Sequence, residues 1–203
     1  MAVTKEDVLG WLGGKDESTG NLVDIPWQIK KYENNLVLEN EKVPFSIFLV
    51  FEQGFVRIFL KTGVETAVLE NQQRLAVYRV LLLLNRQLDL VKFMLEGMQE
   101  EVITRVDLEL SSLTKDELNE GMSMLLSSIY IMVKSLKMEE QFQARITERM
   151  LMMVQDMINS GKSKDEILKY LVDKIGLSKS ESENIISQLT GEAKENQSGG
   201  MYA

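Results

Sequence analysis

The stretch LLLLNRQLDLVKFMLEG, residues 81–97, changes its pattern halfway, and that change decides the fold. It opens with a run of leucines and ends in alternation, with Val91, Phe93 and Leu95 on one side and Lys92 on the other. Helices and strands repeat their side chains at periods of 3.6 and 2, so a change of period marks a change of element. The stretch therefore predicts a helix over 67–87, closed by Asn85 or Arg86, and then a strand.

The long helix is predicted to be apolar on more than one side. At helical spacing a broad apolar face forms, and the leucine run adds apolar residues nearly all round. The members of that face are Val68, Leu75, Ala76, Val80, Leu82 and Leu83. Since one sheet covers one side of a helix, we expect a second copy of the chain to cover the rest. The predicted dimer interface consists of Tyr78, Leu81, Leu82 and Leu84.

The segments after the helix and strand are VITRVDLEL, residues 102–110, and LTKDELNEGMSMLLSSI, residues 113–129. The first alternates strictly, which predicts a strand with one face in the core and one in water. The second opens with a capping box at Thr114 and Glu117 and continues with apolar residues at helical spacing. It predicts a helix that packs on the sheet.

Extended segments precede the long helix. Thr4 and Asp7 mark the start of a short first helix, and residues 25–63 are rich in β-branched and aromatic residues. VPFSIFLVF and FVRIFLK, separated by Glu52-Gln53-Gly54, predict an antiparallel hairpin. The predicted fold class is α+β: a helix, a three-stranded antiparallel meander, a long helix, two strands and a helix.

This order of elements, over roughly residues 4–136, resembles the YbjN-like proteins, which share their fold with the type III secretion chaperones. The resemblance is carried by LLLLNRQLDLVKFMLE, VITRVDLEL and LTKDELNEGMSMLLSSI. It implies a small α+β homodimer without catalysis, which binds or regulates partner polypeptides through its sheet and dimer surfaces. Residues 138–190 lie outside the family core, so the resemblance implies nothing about them.

The composition disfavours several classes of function. Of 203 residues none is cysteine or histidine, which removes disulfides, thiol nucleophiles, the usual general base and the commonest metal ligands. The formal net charge of −8 repels phosphate and anionic lipid. Apolar runs are shorter than the roughly 20 residues of a membrane span. We expect a cytoplasmic protein with no cofactor, metal, nucleic-acid or membrane partner.

A second part of the chain is predicted to begin near Lys137. The predicted organisation is an α+β domain over 1–137, a three-helix extension over 138–190 and a disordered polar tail over 191–203. Capping boxes at Ser163/Glu166 and Ser178/Glu181 mark the starts of the last two helices.

Two motifs in this part have ordinary structural interpretations. Gly161-Lys162-Ser163 resembles the end of a phosphate-binding loop, but Asp156 occupies the required glycine position, so a helix–helix turn is favoured. The last two helices resemble a helix-turn-helix, but Glu181 and Glu183 stand where a recognition helix needs basic or amide groups. DNA binding is therefore disfavoured.

Paired acidic residues are the candidates for catalysis. Asp107 and Glu109 share a strand face, and Glu100-Glu101 and Glu139-Glu140 are adjacent. Two carboxyl groups perform acid/base chemistry only where their surroundings separate their pKa values. Arg105, on the same face, favours a solvated ladder of charges instead.

Ten of the twelve methionines fall between Met94 and Met157, four of them in ERMLMMVQDMI. They predict an apolar face on a helix over 139–159, and flexible thioethers suit binding to different partner peptides. The predicted partner-binding residues are Phe142, Ile146, Met150, Met153 and Met157. The favoured alternative is that this face packs on the core or on the last two helices.

These observations predict a non-enzymatic adaptor or chaperone-like regulator that binds a partner polypeptide and forms a homodimer. The alternative is a small-ligand-binding protein, or an enzyme that uses carboxylate chemistry. A deep pocket with two converging acids and displaced pKa values would favour that alternative.

Overall fold

A six-stranded antiparallel sheet forms the centre of the first of two units of the chain, Met1–Glu139. The computed structural model describes residues 3–14, 17–32, 35–174 and 177–190. The strands are β1 (Gln28–Tyr32), β2 (Asn35–Asn40), β3 (Val43–Glu52), β4 (Phe55–Glu65), β5 (Lys92–Glu96) and β6 (Glu101–Glu109). Across the sheet their order is β1-β2-β3-β4-β6-β5, so β1 and β5 are the edge strands.

Three helices complete the first unit: α1 (Lys5–Leu12), α2 (Asn71–Gln87) and α3 (Lys115–Leu136). Two short 3-10 turns, Glu17–Thr19 and Leu22–Asp24, connect α1 to the sheet. The predicted α+β class is confirmed. The meander before α2 has four strands rather than three. The additional strand is β1, whose residues are all exposed and which pairs with β2 at the edge of the sheet.

The β3–β4 hairpin turns in two residues, Gln53 and Gly54. Their φ angles are 53° and 80°, the left-handed conformation at both positions that matches the twist of an antiparallel pair. The turn fixes the register, in which Phe48 lies opposite Phe59 and Val50 opposite Arg57. These four side chains therefore share one face of the sheet.

The core lies between α3 and the opposite face of the sheet. The helix begins with the predicted capping box, in which Thr114 accepts from the backbone N–H of Glu117. Its fully buried residues recur at helical spacing: Leu118, Met122, Leu125, Ile129 and Met132. Each buried side chain of this size contributes roughly 1.5–3 kcal/mol to folding. Two buried hydroxyls in this interface are satisfied by each other, since those of Thr104 and Ser128 lie 2.8 Å apart.

Gly121 lets α3 approach β6 closely. A Cβ built at this position would lie 3.2 Å from Cδ1 of Leu108 and 3.3 Å from Cγ1 of Val106. These distances are tighter than ordinary carbon–carbon contacts, so a side chain here would require its neighbours to shift.

Helix α2 ends at Gln87, as predicted, but it begins later than predicted. It begins at Asn71 rather than at residue 67, because the backbone N–H groups of Thr66 and Ala67 donate to the carbonyls of Glu100 and Gln99 instead of entering a helix. It continues past Asn85 to Gln87. The predicted change from helix to strand is correct, with a short loop before β5 begins at Lys92.

The second unit, Glu140–Ala203, is helical in its described residues. It contains almost all of α4 (Glu139–Asn159), then α5 (Lys164–Lys169), which runs into a π-helical turn (Tyr170–Lys174), and α6 (Lys179–Thr190). Its core consists of Val154, Ile167, Tyr170, Leu171 and Ile186. Both predicted capping boxes are present, with Glu166 bonded to Ser163 and Glu181 to Ser178. The predicted tail, 191–203, lies outside the described residues.

Candidate functional site

Helix α2 exposes large apolar side chains. Leu82 is 69% exposed, Leu75 66% and Leu83 50%, whereas Leu81 and Leu84 are buried. The broad apolar face predicted from the sequence is therefore mostly the outer face of the helix. Groups of exposed leucines are unusual on a soluble monomer and commonly mark an interaction surface.

Two side chains fix α2 against the edge of the sheet. The hydroxyl of Tyr78 donates to Oε2 of Glu100, in the turn between β5 and β6, over 2.6 Å. Oδ1 of Asn85 accepts from the backbone N–H of Phe93 over 2.7 Å, and its Nδ2 donates to the carbonyl of Phe93 over 3.1 Å. Tyr78 and Asn85 thus mark the side of α2 that borders β5.

The exposed leucines lie next to these two anchors. Leu75 and Leu82 are separated from Tyr78 or Asn85 by three or four residues, so they occupy the same flank of the helix. At the neighbouring border of the sheet, Leu90 is 39% exposed and Leu95, on β5, is 41% exposed. We call these four residues, Leu75, Leu82, Leu90 and Leu95, the apolar edge.

The four residues predicted for the dimer interface occupy different environments. Leu82 belongs to the apolar edge, Leu81 and Leu84 are buried within their own unit, and Tyr78 is half-buried with its hydroxyl bonded to Glu100. Because leucines surround the end of this helix, projection alone does not show which of them faces the sheet. The polar positions Tyr78 and Asn85 would have been the better guide to its orientation.

Asn85 also changes the chemistry of the sheet edge. An edge strand ordinarily presents free backbone N–H and C=O groups, which invite pairing with another strand. At Phe93 both groups are bonded to Asn85. These two groups are therefore not available to pair with another strand.

The predicted methionine face of α4 is divided. Met153 and Met157 pack against the core of the second unit. Phe142, Ile146 and Met150 continue the same stripe toward the N-terminus of the helix and are half-buried. Met152 lies on another side of α4 and is 59% exposed.

The sheet face opposite α3 contains a cleft of about 200 Å³. Phe48 and Phe59 stack there with ring centroids 5.1 Å apart. Phe59 is 8% exposed and Ile103 5%, although no helix of the first unit covers this face in the described residues. The cleft is lined by Asn35, Val50, Glu52, Arg57, Phe59, Glu96, Ile103 and Arg105. The sequence predicted a solvated face at Ile103 and Arg105, so the cleft was missed.

Asp107 organises the charges beside this cleft. Nε and Nη2 of Arg105 donate to its two oxygens over 2.7 and 2.9 Å, Nζ of Lys92 lies 3.3 Å away, and Nε of Arg57 lies 3.9 Å away. Partial burial alone would raise the pKa of Asp107, but Arg105 and Lys92 together hold the pKa below its usual range. Arg57 also pairs with Glu52.

Other carboxyl groups are held in the charged form. The hydrogen bond from Tyr78 lowers the pKa of Glu100, and Lys115 lowers that of Asp24. Among the described residues, no group of three acidic side chains is arranged to hold a metal ion. Within the same residues, no helix combines the length and apolar character that a membrane span requires.

The solved structures that are similar to this chain include the following three. YbjN from E. coli is 13% identical, with a TM-score of 0.42 over 71% of this chain and 97% of the other. The ExsC–ExsE complex contributes a chain that is 13% identical, with a TM-score of 0.37 over 64% and 92%. An uncharacterized protein from Methanothermobacter thermautotrophicus is 20% identical, with a TM-score of 0.40 over 71% and 97%. YbjN, which gives its name to the family that the sequence resembles, is thus among these structures.

Two family models match the chain, one in each part. No curated protein matches it. The model named HTH_78, described as a domain of unknown function, matches residues 137–203. The other covers most of the first unit, and the chain belongs to its family, described as "Domain of unknown function (DUF8183)", which matches residues 7–136.

Proposed function

We propose that this protein is a non-enzymatic adaptor or chaperone-like regulator that forms a homodimer and binds a partner polypeptide. The apolar edge is the observation that carries the proposal. Leu75 and Leu82 are each about two-thirds exposed, although the unit has a well-packed core. Burying such side chains against another protein yields roughly 1.5–3 kcal/mol for each one fully covered.

A second copy of the chain fits this surface. Two-fold symmetry would bring the same patch of each subunit together, so leucines would meet leucines. Because Asn85 occupies the backbone groups of Phe93, we expect contact through α2 side chains rather than a sheet continued across the dimer.

The partner polypeptide is assigned to α4. Met153 and Met157 support the core of the second unit, so the N-terminal half of the stripe, Phe142, Ile146 and Met150, is the proposed contact surface. A methionine in such a surface adapts to differently shaped apolar side chains. We place this role in the cytoplasm, in keeping with the absence of cysteine.

The electrostatics support a polypeptide partner and no catalysis. The carboxyl groups with displaced pKa values in the described part of the chain are all displaced downward, whereas a general acid needs a raised pKa. Glu181 caps α6 at its first turn, where nucleic-acid recognition would need a basic or amide group.

The experiment uses the full chain and two charge substitutions. Leu82→Glu should convert a dimer into a monomer in light scattering, because two such glutamates would meet at the symmetric contact. Ile146→Glu should leave the dimer intact and abolish co-purification of a specific polypeptide from the native cell. Met152→Glu, which charges an exposed position on another side of α4, is the control for both.

A monomeric wild-type protein, or a Leu82→Glu variant that stays dimeric, would contradict the proposed interface. A partner that is retained equally by Ile146→Glu and Met152→Glu would exclude the α4 surface. DNA binding measured by gel shift at moderate salt should be absent in the wild-type protein, and its presence would overturn the choice of partner class.

A further inference from the structure

The cleft on the sheet face opposite α3 has an apolar floor with opposite charges at its two ends. The floor is Phe59 and Ile103, and the pairing of β4 with β6 places Arg57 and Arg105 toward one end. Glu96, opposite Glu101, lies toward the other end, where Nζ of Lys61 lies 4.0 Å from each of these two carboxylates and leaves one negative charge in excess. We propose that this cleft binds a small zwitterion of amino-acid or dipeptide size, with its carboxylate on the two arginines and its ammonium on Glu96.

Both signs of charge are needed in the ligand. A purely anionic ligand that spans the cleft would also approach Glu96, and a purely cationic one would approach two guanidinium groups. Like charges brought together in a cleft oppose binding, whereas a zwitterion meets the opposite charge at each end. The charges on the lining residues therefore select a ligand that carries both.

The arginines are oriented before a ligand arrives. Asp107 holds Arg105 through Nε and Nη2, so Nη1 takes no part in that ion pair. Glu52 pairs with Nη1 of Arg57, and Asp107 lies near its Nε. A guanidinium fixed in this way loses little conformational freedom when it binds a carboxylate.

Asp107 does not neutralise the cations around it. Its single negative charge faces Arg57, Arg105 and Lys92. Glu52 compensates part of this excess, and one positive charge remains for the carboxylate of a ligand.

The dimensions limit the size of the ligand. Ordinary drug-sized sites occupy about 300–1,000 Å³, whereas this cleft occupies about 200 Å³. The Cα atoms of Glu101, which lies opposite Glu96, and Arg105 are about 13 Å apart along β6. The long side chains of Arg105 and Glu96 shorten this span, which suits an amino acid or a dipeptide with an apolar side chain on the floor.

The inference goes beyond the proposed adaptor role and does not depend on it. It assigns a ligand to the sheet face opposite α3, whereas the adaptor proposal concerns α2, the β5 border and α4. Loss of either proposal leaves the other intact, because their variants and measurements do not overlap.

The test is an NMR titration of the full ¹⁵N-labelled chain with leucine and with glycyl-leucine. Saturable shifts are expected at the amides of Phe59, Ile103 and Arg105, with a Kd of about 1 mM for the better of the two. Leucinamide, which lacks the carboxylate, and N-acetyl-leucine, which lacks the ammonium, should each bind about tenfold or more weakly. If leucine binds more strongly, the ligand class is a free amino acid. If glycyl-leucine binds more strongly, it is a peptide.

Arg105→Gln should weaken binding by about tenfold or more. Lys30→Gln, on the same sheet face but on β1 and paired with Glu39, is the matched control and should bind as the wild type does. If Arg105→Gln does not fold, Arg57→Gln tests the same loss of binding. In that variant Asp107 still forms its ion pairs with Arg105 and Lys92.

Any one of three binding results would overturn the inference, and so would a fourth, the location of the shifts. The three binding results are no saturable shift with either zwitterion, equal binding of the blocked compounds, and unchanged binding in the folded arginine variant. Shifts that saturate but map to residues outside the cleft would overturn it as well.

Discussion

Asn85, in helix α2, hydrogen-bonds both the N–H and the C=O of Phe93, in edge strand β5. One amide side chain thus replaces the backbone partners that a neighbouring strand would supply. It also attaches the C-terminal end of α2 to the sheet.

Asn85→Ala should destabilise the protein by about 1–3 kcal/mol, because it leaves two partly buried backbone groups of Phe93 without partners. Urea denaturation measures the loss. Gln87→Ala, at an exposed position on the same helix, should change stability by less than about 0.5 kcal/mol. Equal stability of the two variants would show that Phe93 finds other partners.

The leucine run should divide into two classes of response. Leu81→Ala, at a buried position, should cost about 2–5 kcal/mol. Leu82→Ala should instead abolish the dependence of the thermal midpoint on protein concentration, since Leu82 is 69% exposed within its own chain and dimerisation links stability to concentration. A concentration-independent midpoint in the wild-type protein would count against the dimer.

Glu100 should make the attachment of α2 sensitive to acid. The hydrogen bond from Tyr78 lowers the pKa of Glu100 from its ordinary value of 4.5, so this carboxylate stabilises the fold at neutral pH. The contribution is lost as the pH falls through the lowered pKa. Tyr78→Phe should therefore be less stable than the wild type at about pH 7, and the difference in urea midpoint should shrink by about pH 3. If the difference in urea midpoint between Tyr78→Phe and the wild type does not change with pH, the hydrogen bond to the ionised Glu100 is not its cause.

The same substitution by glutamate should affect stability at Met153 but not at Met152. The sequence-based hypothesis expects glutamates at Met153 and Met157 to abolish partner binding without unfolding the core domain. Because Met153 packs on the core of the second unit, Met153→Glu should destabilise that unit by more than about 2 kcal/mol. Met152→Glu, at an exposed position, should be neutral.

Hydrogen exchange separates the two units in this test. Met153→Glu should raise exchange across α5 and α6 and leave the strands of the first unit protected. Normal protection in α5 and α6 would mean that Met153 does not support that core.

Local patterns in the sequence predict most of the fold. The change of period after the leucine run locates α2 and β5, and the capping box at Thr114 and Glu117 locates α3. These predictions are correct because helix starts and changes of period depend on residues that are close together in the sequence. The predicted start of α2 is too early, since the backbone N–H groups of Thr66 and Ala67 donate to the carbonyls of Glu100 and Gln99, which are distant in sequence.

Orientation and side-chain burial were harder to predict. Leu75 and Leu82 look like core residues in a helical projection, yet they are exposed, because Tyr78 and Asn85 turn the helix toward β5. Ile103 looks like an outward-facing residue and is buried, on a face where Lys61 and Met94 lie opposite it on the two neighbouring strands. Both outcomes depend on contacts across strands that one sequence does not reveal.

Gly121 makes three positions of this fold depend on one another in evolution. A methyl group added there would crowd Leu108 and Val106, the residues of β6 beneath it. Relatives that carry a larger residue at this point of α3 should therefore carry a smaller one at the matching points of β6, a compensation that would keep helix and sheet at the same separation while the sequence diverges.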